Sequence, residues 1–164
     1  MVSKIPCNKG FTLIELVIAT SLILLFLTAT VLIVRPVEQL KKARDNKRIS
    51  DLSLIDRVIT EYKVDYGSYP DATDTLRTST ALPQGNSSLT NSTSGWIKQN
   101  LSAYTTKIPI DPINDETYYY KYIQNGFTYE LNAKLEYNFE QATSDGGGDT
   151  TMYEIGNNLT LIVN

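Results

Sequence analysis

The chain has 164 residues and a formal net charge of -3, so no strongly basic balance indicates a nucleic-acid-binding protein. It contains no histidine, which removes the commonest general base and the commonest metal ligand. Its single cysteine, Cys7, precedes the apolar segment, so the chain beyond it can form no internal disulfide bond. These counts favour a structural or binding protein over an enzyme and call for no cofactor.

The first predicted element is an apolar helix that is long enough to cross a membrane. Residues 16–34 include no charged side chain, and such a run has the usual length of a membrane-spanning helix. Glu15 lies at the start of this run, where a carboxylate costs about 3 kcal/mol on insertion scales. An acidic residue inside a membrane span usually has a function and a partner, so a cationic partner for Glu15 has to be identified.

The segment 10–15, which reads Gly-Phe-Thr-Leu-Ile-Glu, resembles the processing site of type IV pilins and of the pseudopilins of type II secretion systems. The resemblance implies that a prepilin peptidase removes residues 1–10 as a leader by cleaving the bond between Gly10 and Phe11. It implies that the same enzyme N-methylates Phe11. It also implies that Glu15 is the assembly residue, which neutralises the new amine of a neighbouring subunit.

The pairing of Phe11 with Glu15 is also expected on physical grounds. An amine on Phe11 would lie at the positive end of a helix dipole, where positive charge is disfavoured. Glu15 follows one turn later on the same helix face. The pair can form within one chain or between neighbours, and the family resemblance implies the neighbour. The alternative interpretation is an ordinary signal-anchor helix that carries a stray acid.

The resemblance further implies partners and a location. The partners are other copies of the chain and minor pilins in a helical filament, the prepilin peptidase, and an assembly platform in the inner membrane. The chain would cross the inner membrane once with its head outside the cytoplasm, and would then enter an extracellular or periplasmic filament. The positive-inside rule predicts the reverse orientation, because more basic residues follow the span than precede it. The leader carries Lys4 and Lys9, and the flank carries Arg35, Lys41, Lys42, Arg44, Lys47 and Arg48. We expect the orientation that the family resemblance implies, with the head outside the cytoplasm, since a processing site has no evident use in the reverse orientation.

One long helix is predicted over residues 11–66, with a transmembrane half at 11–34 and an amphipathic half at 35–66. Apolar residues of the second half recur at helical spacing and should dock on a sheet: Ile49, Leu52, Ile55, Ile59, Tyr62 and Tyr66. Charged residues fill most of the remaining surface, either as a solvated face or as pairing groups between subunits: Lys41, Arg44, Asp45, Arg48, Asp51, Arg57 and Glu61. Pro36 predicts a kink or local opening between residues 32 and 36. Gly67 predicts the helix end.

Residues 67–164 predict a C-terminal globular head. The polar segment 71–94 predicts a mobile surface loop, and Ser94 predicts the cap of a short helix that reaches about Tyr104. Residues 152–155 and 159–163 predict one or two strands. The fold class is therefore α+β, a pilin fold in which a long helix packs on a small antiparallel sheet.

The clearest strand signal covers residues 117–136, which Asn125-Gly126 divides as the preferred pair of a two-residue hairpin turn. That turn sets a register with four facing pairs: Lys121 with Glu130, Tyr122 with Tyr129, Tyr120 with Leu131, and Tyr118 with Ala133. The apolar side chains of the second strand, beginning at Phe127, then share a face with the tyrosines of the first. Lys121 and Glu130 form a charge pair on the opposite face.

The segment from Asp145 to Asp149 encloses three glycines and could wrap a calcium ion, which takes six to eight oxygen ligands. Some major pseudopilins bind calcium in a loop of this general position. The sequence lacks a full acidic ligand set, so it favours a solvated glycine-rich turn and leaves Asp145 and Asp149 as weak calcium candidates.

The sequence as a whole predicts a structural subunit of a type IV pilus-like filament. One alternative is a major-type pseudopilin of a type II secretion or competence system. An alternative of another class is a membrane-anchored surface-binding module, whose tyrosines would serve as stacking platforms.

Overall fold

The computed structural model describes residues 10–81 and 95–162. Residues 1–9 of the predicted leader, residues 82–94 with the predicted helix cap Ser94, and residues 163–164 lie outside this description. The chain divides into two compact units, Met1–Gln39 and Leu40–Asn164. The two units are described in turn.

The first unit is built on helix α1, Leu13–Val34. The side chains of α1 are almost all exposed, as Leu24 at 63% and Phe26 at 66% illustrate. By length and composition this helix could cross a membrane. Its threonine and serine hydroxyls donate to carbonyls of the preceding turn, as Ser21 does to Ile18 O at 2.8 Å, so they need no water.

A break separates α1 from the next helix, α2, Pro36–Tyr66. Arg35 adopts the left-handed conformation, with φ 46° and ψ 65°, and its N–H donates to Val31 O at 3.4 Å. The opening that the sequence predicts between residues 32 and 36 therefore lies at Arg35. Proline disfavours right-handed helical geometry in the residue before it, which explains the position.

The second unit packs α2 against a four-stranded antiparallel sheet, which confirms the predicted α+β fold class. The strands follow one another in the order β1, β2, β3 and β4. Their bounds are Arg77–Thr78 for β1, Tyr120–Gln124 for β2, Tyr129–Lys134 for β3 and Met152–Gly156 for β4, and helix α3, Phe139–Ser144, lies between β3 and β4. The sequence did not predict β1 or α3.

The core lies between α2 and one face of the sheet. Leu52, Ile55 and Ile59 are fully buried, which confirms the central part of the predicted apolar stripe. Tyr66 is 65% exposed, so the stripe ends before it. The remaining core side chains come from α2, the sheet and the segment between β1 and β2: Val58, Tyr62, Trp96, Ile97, Leu101, Ile108, Tyr120, Tyr122, Tyr129, Leu131 and Ala133.

The hairpin of β2 and β3 has the predicted faces but a register two residues away from the predicted one. Tyr122 pairs with Leu131 instead of Tyr129, and Lys121 pairs with Asn132 instead of Glu130. The turn is centred one residue later than predicted, on Gly126 and Phe127, because Asn125 N–H donates to Thr128 O at 3.0 Å. Since the shift is even, tyrosines and aliphatic residues still share the core face.

One further prediction for the hairpin is wrong. Phe127 lies in the connection and is 86% exposed, so it is not part of the core face. The Asn125 side chain explains this, since its Oδ1 accepts the N–H groups of Phe127 at 3.1 Å and Thr128 at 2.8 Å and stabilises a turn that contains Phe127. Of the one or two strands predicted at residues 152–155 and 159–163, the first is present as β4. No strand is present over residues 159–162, because the N–H groups of Leu161 and Ile162 donate to the Glu130 carboxylate instead of a neighbouring strand.

The segments on either side of residues 82–94 also differ from the predicted structure. Residues 71–81 are tied to the fold by Asp71, whose carboxylate binds Arg77 at 2.6 Å and accepts the N–H of Lys98 at 2.5 Å. Residues 95–104 form bends and turns instead of a short helix. The indole of Trp96 is buried there and donates to Pro109 O at 2.9 Å.

Candidate processing and assembly site

The predicted cleavage bond lies in exposed, non-helical chain just before α1. Gly10 and Phe11 precede the helix, and Phe11 is 80% exposed. A Cβ atom placed on Gly10 would meet nothing within 4 Å, and the Gly10 backbone is not left-handed. The fold of the chain therefore does not require glycine at position 10, so any requirement for it comes from outside the chain.

Glu15 caps the amino end of α1 within its own chain. Thr12 is the N-cap, and its Oγ1 accepts the N–H of Glu15 at 3.3 Å. The Glu15 carboxylate in turn accepts the N–H of Thr12 at 3.5 Å. This capping box satisfies two backbone donors that the first turn would otherwise leave unpaired. The carboxylate is thus directed at the end of the helix where Phe11 lies.

Sequence reasoning missed this cap, although the signal was present. A threonine followed by a glutamate three residues later, just before an apolar run, is the pattern of a capping box. Inside a single chain the carboxylate therefore has a use that does not involve the Phe11 amine. Any assembly role of Glu15 has to be separated experimentally from this cap.

A buried charge cluster connects the N-terminal half of α2 to two segments that are distant in sequence. The guanidinium of Arg48, which is fully buried, binds Asp111 at 2.6 Å, Glu136 at 2.7 Å and Asp45 at 2.8 Å. Arg44 makes a second, paired contact with Glu136, at 2.6 and 2.5 Å. Asp111 belongs to the connection before β2, and Glu136 lies just after β3, so the cluster joins α2 to both.

The carboxylate of Asp45 also accepts hydrogen bonds from the backbone. It accepts the backbone N–H groups of Glu136, Tyr137 and Asn138 at 2.8 to 2.9 Å. These donors form the turn that leads into α3, so Asp45 holds that turn against α2. The prediction that Asp45, Arg48 and Asp51 lie on a solvated or intersubunit face is wrong, because all three are buried within one subunit.

Hydrogen bonds set the charge states of the cluster. The hydrogen bonds from Arg44 lower the pKa of Glu136 to about 2, against the effect of burial, and Arg48 contributes in the same direction. Burial lowers the pKa of Arg48, but its hydrogen bonds to Asp111 and Glu136 outweigh this and hold the pKa above its ordinary value. At neutral pH Arg48 and Glu136 are therefore ionised and paired with each other.

The cluster also gives a structural reason for the basic flank after the span. Arg44 and Arg48 bind carboxylates of the head, Lys47 binds Asp51 at 3.0 Å, and Arg35 binds Glu38 at 3.1 Å. The ammonium of Lys42 lies 4.5 Å from the ring centre of Tyr137. Each of these basic residues therefore has a structural role in the folded chain.

The carboxylates of Asp145 and Asp149 act as acceptors inside the glycine-rich loop. Asp145 accepts the N–H groups of Gly147 at 2.8 Å and Glu154 at 2.7 Å. Asp149 accepts the N–H and hydroxyl of Thr151 at 2.8 and 2.6 Å. Over residues 10–81 and 95–162, no group of three or more acidic, cysteine or histidine side chains is arranged to hold a metal ion. The geometry therefore assigns these two aspartates to loop structure, and we do not identify them as metal ligands.

Two family models match the chain. A model described as prokaryotic N-terminal methylation motif matches residues 5–31, and a model described as type II secretion system (T2SS), protein G, matches residues 35–152. No curated protein and no solved structure that was compared with the chain gave a match. The second family model covers more than half of the chain.

An apolar N-terminal helix with a methylation motif, followed by a helix packed on a small antiparallel sheet, defines the class of pilin-like filament subunits. The chain is a member of this class. Within the class it belongs to the family of protein G of the type II secretion system, a family of pseudopilins that serve as structural subunits.

Proposed function

We propose that the chain is cleaved between Gly10 and Phe11, is methylated on Phe11, and assembles into a filament through Glu15. The proposal is supported above all by the exposure, the internal hydrogen bonds and the single charge of α1. Its apolar side chains are exposed, its hydroxyls are satisfied internally, and its only charge is Glu15 at the amino end. Such a helix is stable in a membrane or among other apolar helices. In the proposed filament, Glu15 of one subunit neutralises the Phe11 amine of the next.

The proposed partners are further copies of the chain, minor pilins, the prepilin peptidase and an inner-membrane assembly platform. The methylation-motif match supports the peptidase as a partner. We place the leader in the cytoplasm and the head outside. The methylation-motif match supports this orientation, because a processing site beside the leader has no evident use in the reverse one.

A pseudopilus is the form of filament that the family match favours. Protein G of the type II secretion system matches residues 35–152, which include most of the head. A surface pilus is the other candidate. Deleting the gene for the chain discriminates them: loss of protein secretion with no change in surface fibres supports the pseudopilus, and loss of surface fibres supports the pilus.

The surface-binding alternative depended on tyrosines as stacking platforms. Tyr120, Tyr122 and Tyr129 of the hairpin are buried at 0, 1 and 6% exposure. They fill the core and offer no ring face to a ligand, so this observation favours the structural role.

Processing is tested by intact mass in cells that carry a prepilin peptidase. We expect the mature chain to lack residues 1–10 and to carry one methyl group on Phe11. Gly10→Leu should retain the leader, since a large side chain would block the approach to the peptidase, whereas Gly10→Ala should still be cleaved. Because no described residue lies within 4 Å of a Cβ atom at position 10, neither variant should alter the fold of residues 10–81 and 95–162. Native material that retains residues 1–10 would contradict the proposal.

A further inference from the structure

Two carboxyl groups meet behind the sheet, on the face opposite α2. Glu130 of β3 is fully buried and Glu154 of β4 is 3% exposed. Glu130 pairs with Gly156 and Asn132 pairs with Glu154, so the two glutamates lie diagonally across neighbouring strands on the same face. A hydrogen bond between two carboxyl groups requires a proton on one of them, since a carboxylate has only acceptors.

Each carboxyl group also holds a segment of backbone. Glu130 Oε2 accepts the N–H groups of Leu161 at 2.6 Å and Ile162 at 2.9 Å, which fastens the C-terminal segment 157–162 to β3. Glu154 Oε2 accepts the N–H of Asp149 at 3.2 Å, which fastens the glycine-rich loop to β4. The pair therefore joins two strands, one loop and the end of the chain.

Among the described residues, one oxygen of Glu130 has no hydrogen-bond partner. Its Oε1 is buried and accepts no hydrogen bond, and the same is true of Oδ1 of the neighbouring Asn132. An unpaired buried acceptor is costly, and more so when it belongs to an ionised group. A proton on Glu154 removes this cost, because it can be donated to Glu130 Oε1.

Both acidic and basic side chains lie around the pair. Asp145 and Asp149 of the glycine-rich loop add negative charge nearby, and Asp145 accepts the N–H of Glu154. Lys121 lies on β2 in the same cross-strand row, but Asn132 stands between it and Glu154. Lys134 is on β3, with its ammonium 6.0 Å from the ring centre of Tyr118. Leu161 and Ile162, which cover the pair, are uncharged.

We propose that Glu130 and Glu154 share a proton and that this proton latches the C-terminal segment 157–162 onto the sheet. Burial raises the pKa of Glu154 to about 7 from its ordinary value of 4.5, and Glu130 contributes in the same direction against the Asp149 N–H. In the open state the solvated carboxyl has its ordinary pKa. The latch is therefore closed below pH 4.5 and is lost as the pH rises through 7, where Glu154 ionises and can no longer donate a proton to Glu130 Oε1. The inference concerns the head alone and is independent of filament formation.

The test is hydrogen exchange of the peptide that covers residues 157–162, measured on the full chain in detergent micelles. Samples at pH 5.5 and 8.5 contain EDTA, so that no divalent ion replaces the proton, and protection is corrected for intrinsic exchange. We expect the protection factor of this peptide in the wild type to fall at least tenfold from pH 5.5 to pH 8.5. A tenfold change in the closing equilibrium corresponds to about one unit of difference between the pKa values of Glu154 in the closed and open states. Protection that does not change with pH would overturn the proposal.

Glu154→Gln is the informative variant, because its amide is neutral at every pH and can still donate to Glu130 Oε1. Protection in Glu154→Gln should be the same at both values of pH. Glu140→Gln, on the exposed surface of α3, is the matched control and should retain the decrease seen in the wild type. A Glu154→Gln chain that keeps the decrease contradicts the role of this carboxyl group.

A second measurement needs no variant. Infrared spectra of the wild type should contain the carbonyl band of a protonated carboxyl group at pH 6, and this band should disappear by pH 8.5. Absence of the band at pH 6 would overturn the shared proton, even if Glu154→Gln failed to fold.

Discussion

At the level of single residues, Glu15 has two uses that substitution can separate. Glutamine can also complete a capping box with Thr12, but it cannot neutralise an amine. We therefore expect Glu15→Gln to keep the first turn of α1 and still to form few or no filaments. Glu15→Leu should lose both functions, although it should insert into the membrane at least as well because it removes a charge.

The measurement for Glu15 is filament yield by electron microscopy, with leader removal followed by intact mass. Both variants should be cleaved, so that lost filaments reflect assembly and not processing. Glu38→Gln, in the exposed ion pair with Arg35, is the matched control and should assemble. Normal filaments from Glu15→Gln combined with none from Glu15→Leu would show that the cap matters and the charge does not.

The buried charge cluster makes the stability of the head depend on pH in the acidic range. The pKa of Glu136 is lowered to about 2 in the folded chain from an ordinary 4.5. The stabilisation it provides is therefore present above pH 4.5 and is lost as the pH falls towards 2. Glu136→Gln should lower the thermal midpoint at pH 7 and should flatten its decline between pH 4.5 and 2. Glu140→Gln should match the wild type, and a wild-type slope in Glu136→Gln would refute this assignment.

At the level of elements, Gly156 allows β4 to pack closely on the end of β3. Its φ is +154°, and a Cβ atom there would lie 2.3 Å from the carbonyl oxygen of Tyr129. Since that neighbour is backbone, Gly156→Ala has to separate the two strands, and we expect a loss of about 2 to 4 kcal/mol of unfolding free energy.

Gly148 provides the control for this substitution. A Cβ atom on Gly148 meets nothing within 4 Å, so Gly148→Ala should change the unfolding free energy by less than about 0.5 kcal/mol. Denaturant titration of the two variants measures the difference. Equal stabilities would show that β4 can shift away from Tyr129 without cost.

The hairpin shows how much of the fold the sequence could predict. Alternation of tyrosine and aliphatic residues identifies the core face, because side chains alternate strictly along a strand. The position of the turn is not set by this alternation, and the Asn125 side chain stabilises a turn on Gly126 and Phe127 instead of Asn125 and Gly126. Every register that differs by two residues keeps the same faces, so periodicity alone could not choose between them.

The candidate site was predictable where its residues are local in sequence. The segment 10–15 contains the predicted cleavage bond, the capping box and Glu15 within one turn of helix. The charge cluster was not predictable, because Arg48 meets Asp111 and Glu136 only after the chain has folded back. On a helix of mixed charge, a buried arginine looks the same in sequence as a solvated one.

At the level of the whole molecule, the second compact unit should fold without α1. A fragment of residues 36–164 should unfold cooperatively, since it contains the complete core and the charge cluster. Trp96 is the only tryptophan and is 1% exposed, so its fluorescence reports the transition. A fragment whose Trp96 emission already resembles that of the denatured chain would show that the head needs α1.

The same fragment tests the docking of α2. Ile59→Asp places an unpaired charge in the core, where Ile59 is fully buried, and should cost about 3 to 5 kcal/mol. Val64→Asp makes the same change on the same helix at a side chain that is 78% exposed, and should cost less than about 0.5 kcal/mol. Similar losses in the two variants would contradict the assignment of the buried face.

The charge cluster also imposes an order on biosynthesis. Arg48 is separated by 63 residues from Asp111 and by 88 residues from Glu136. At usual elongation rates of 5 to 20 residues per second, the ribosome adds Glu136 about 4 to 18 s after Arg48. During this interval the apolar helix can reach the membrane while the guanidinium of Arg48 still has water as its partner. A nascent chain that stops before Glu136 cannot close the head, and it remains an open substrate for proteases and chaperones.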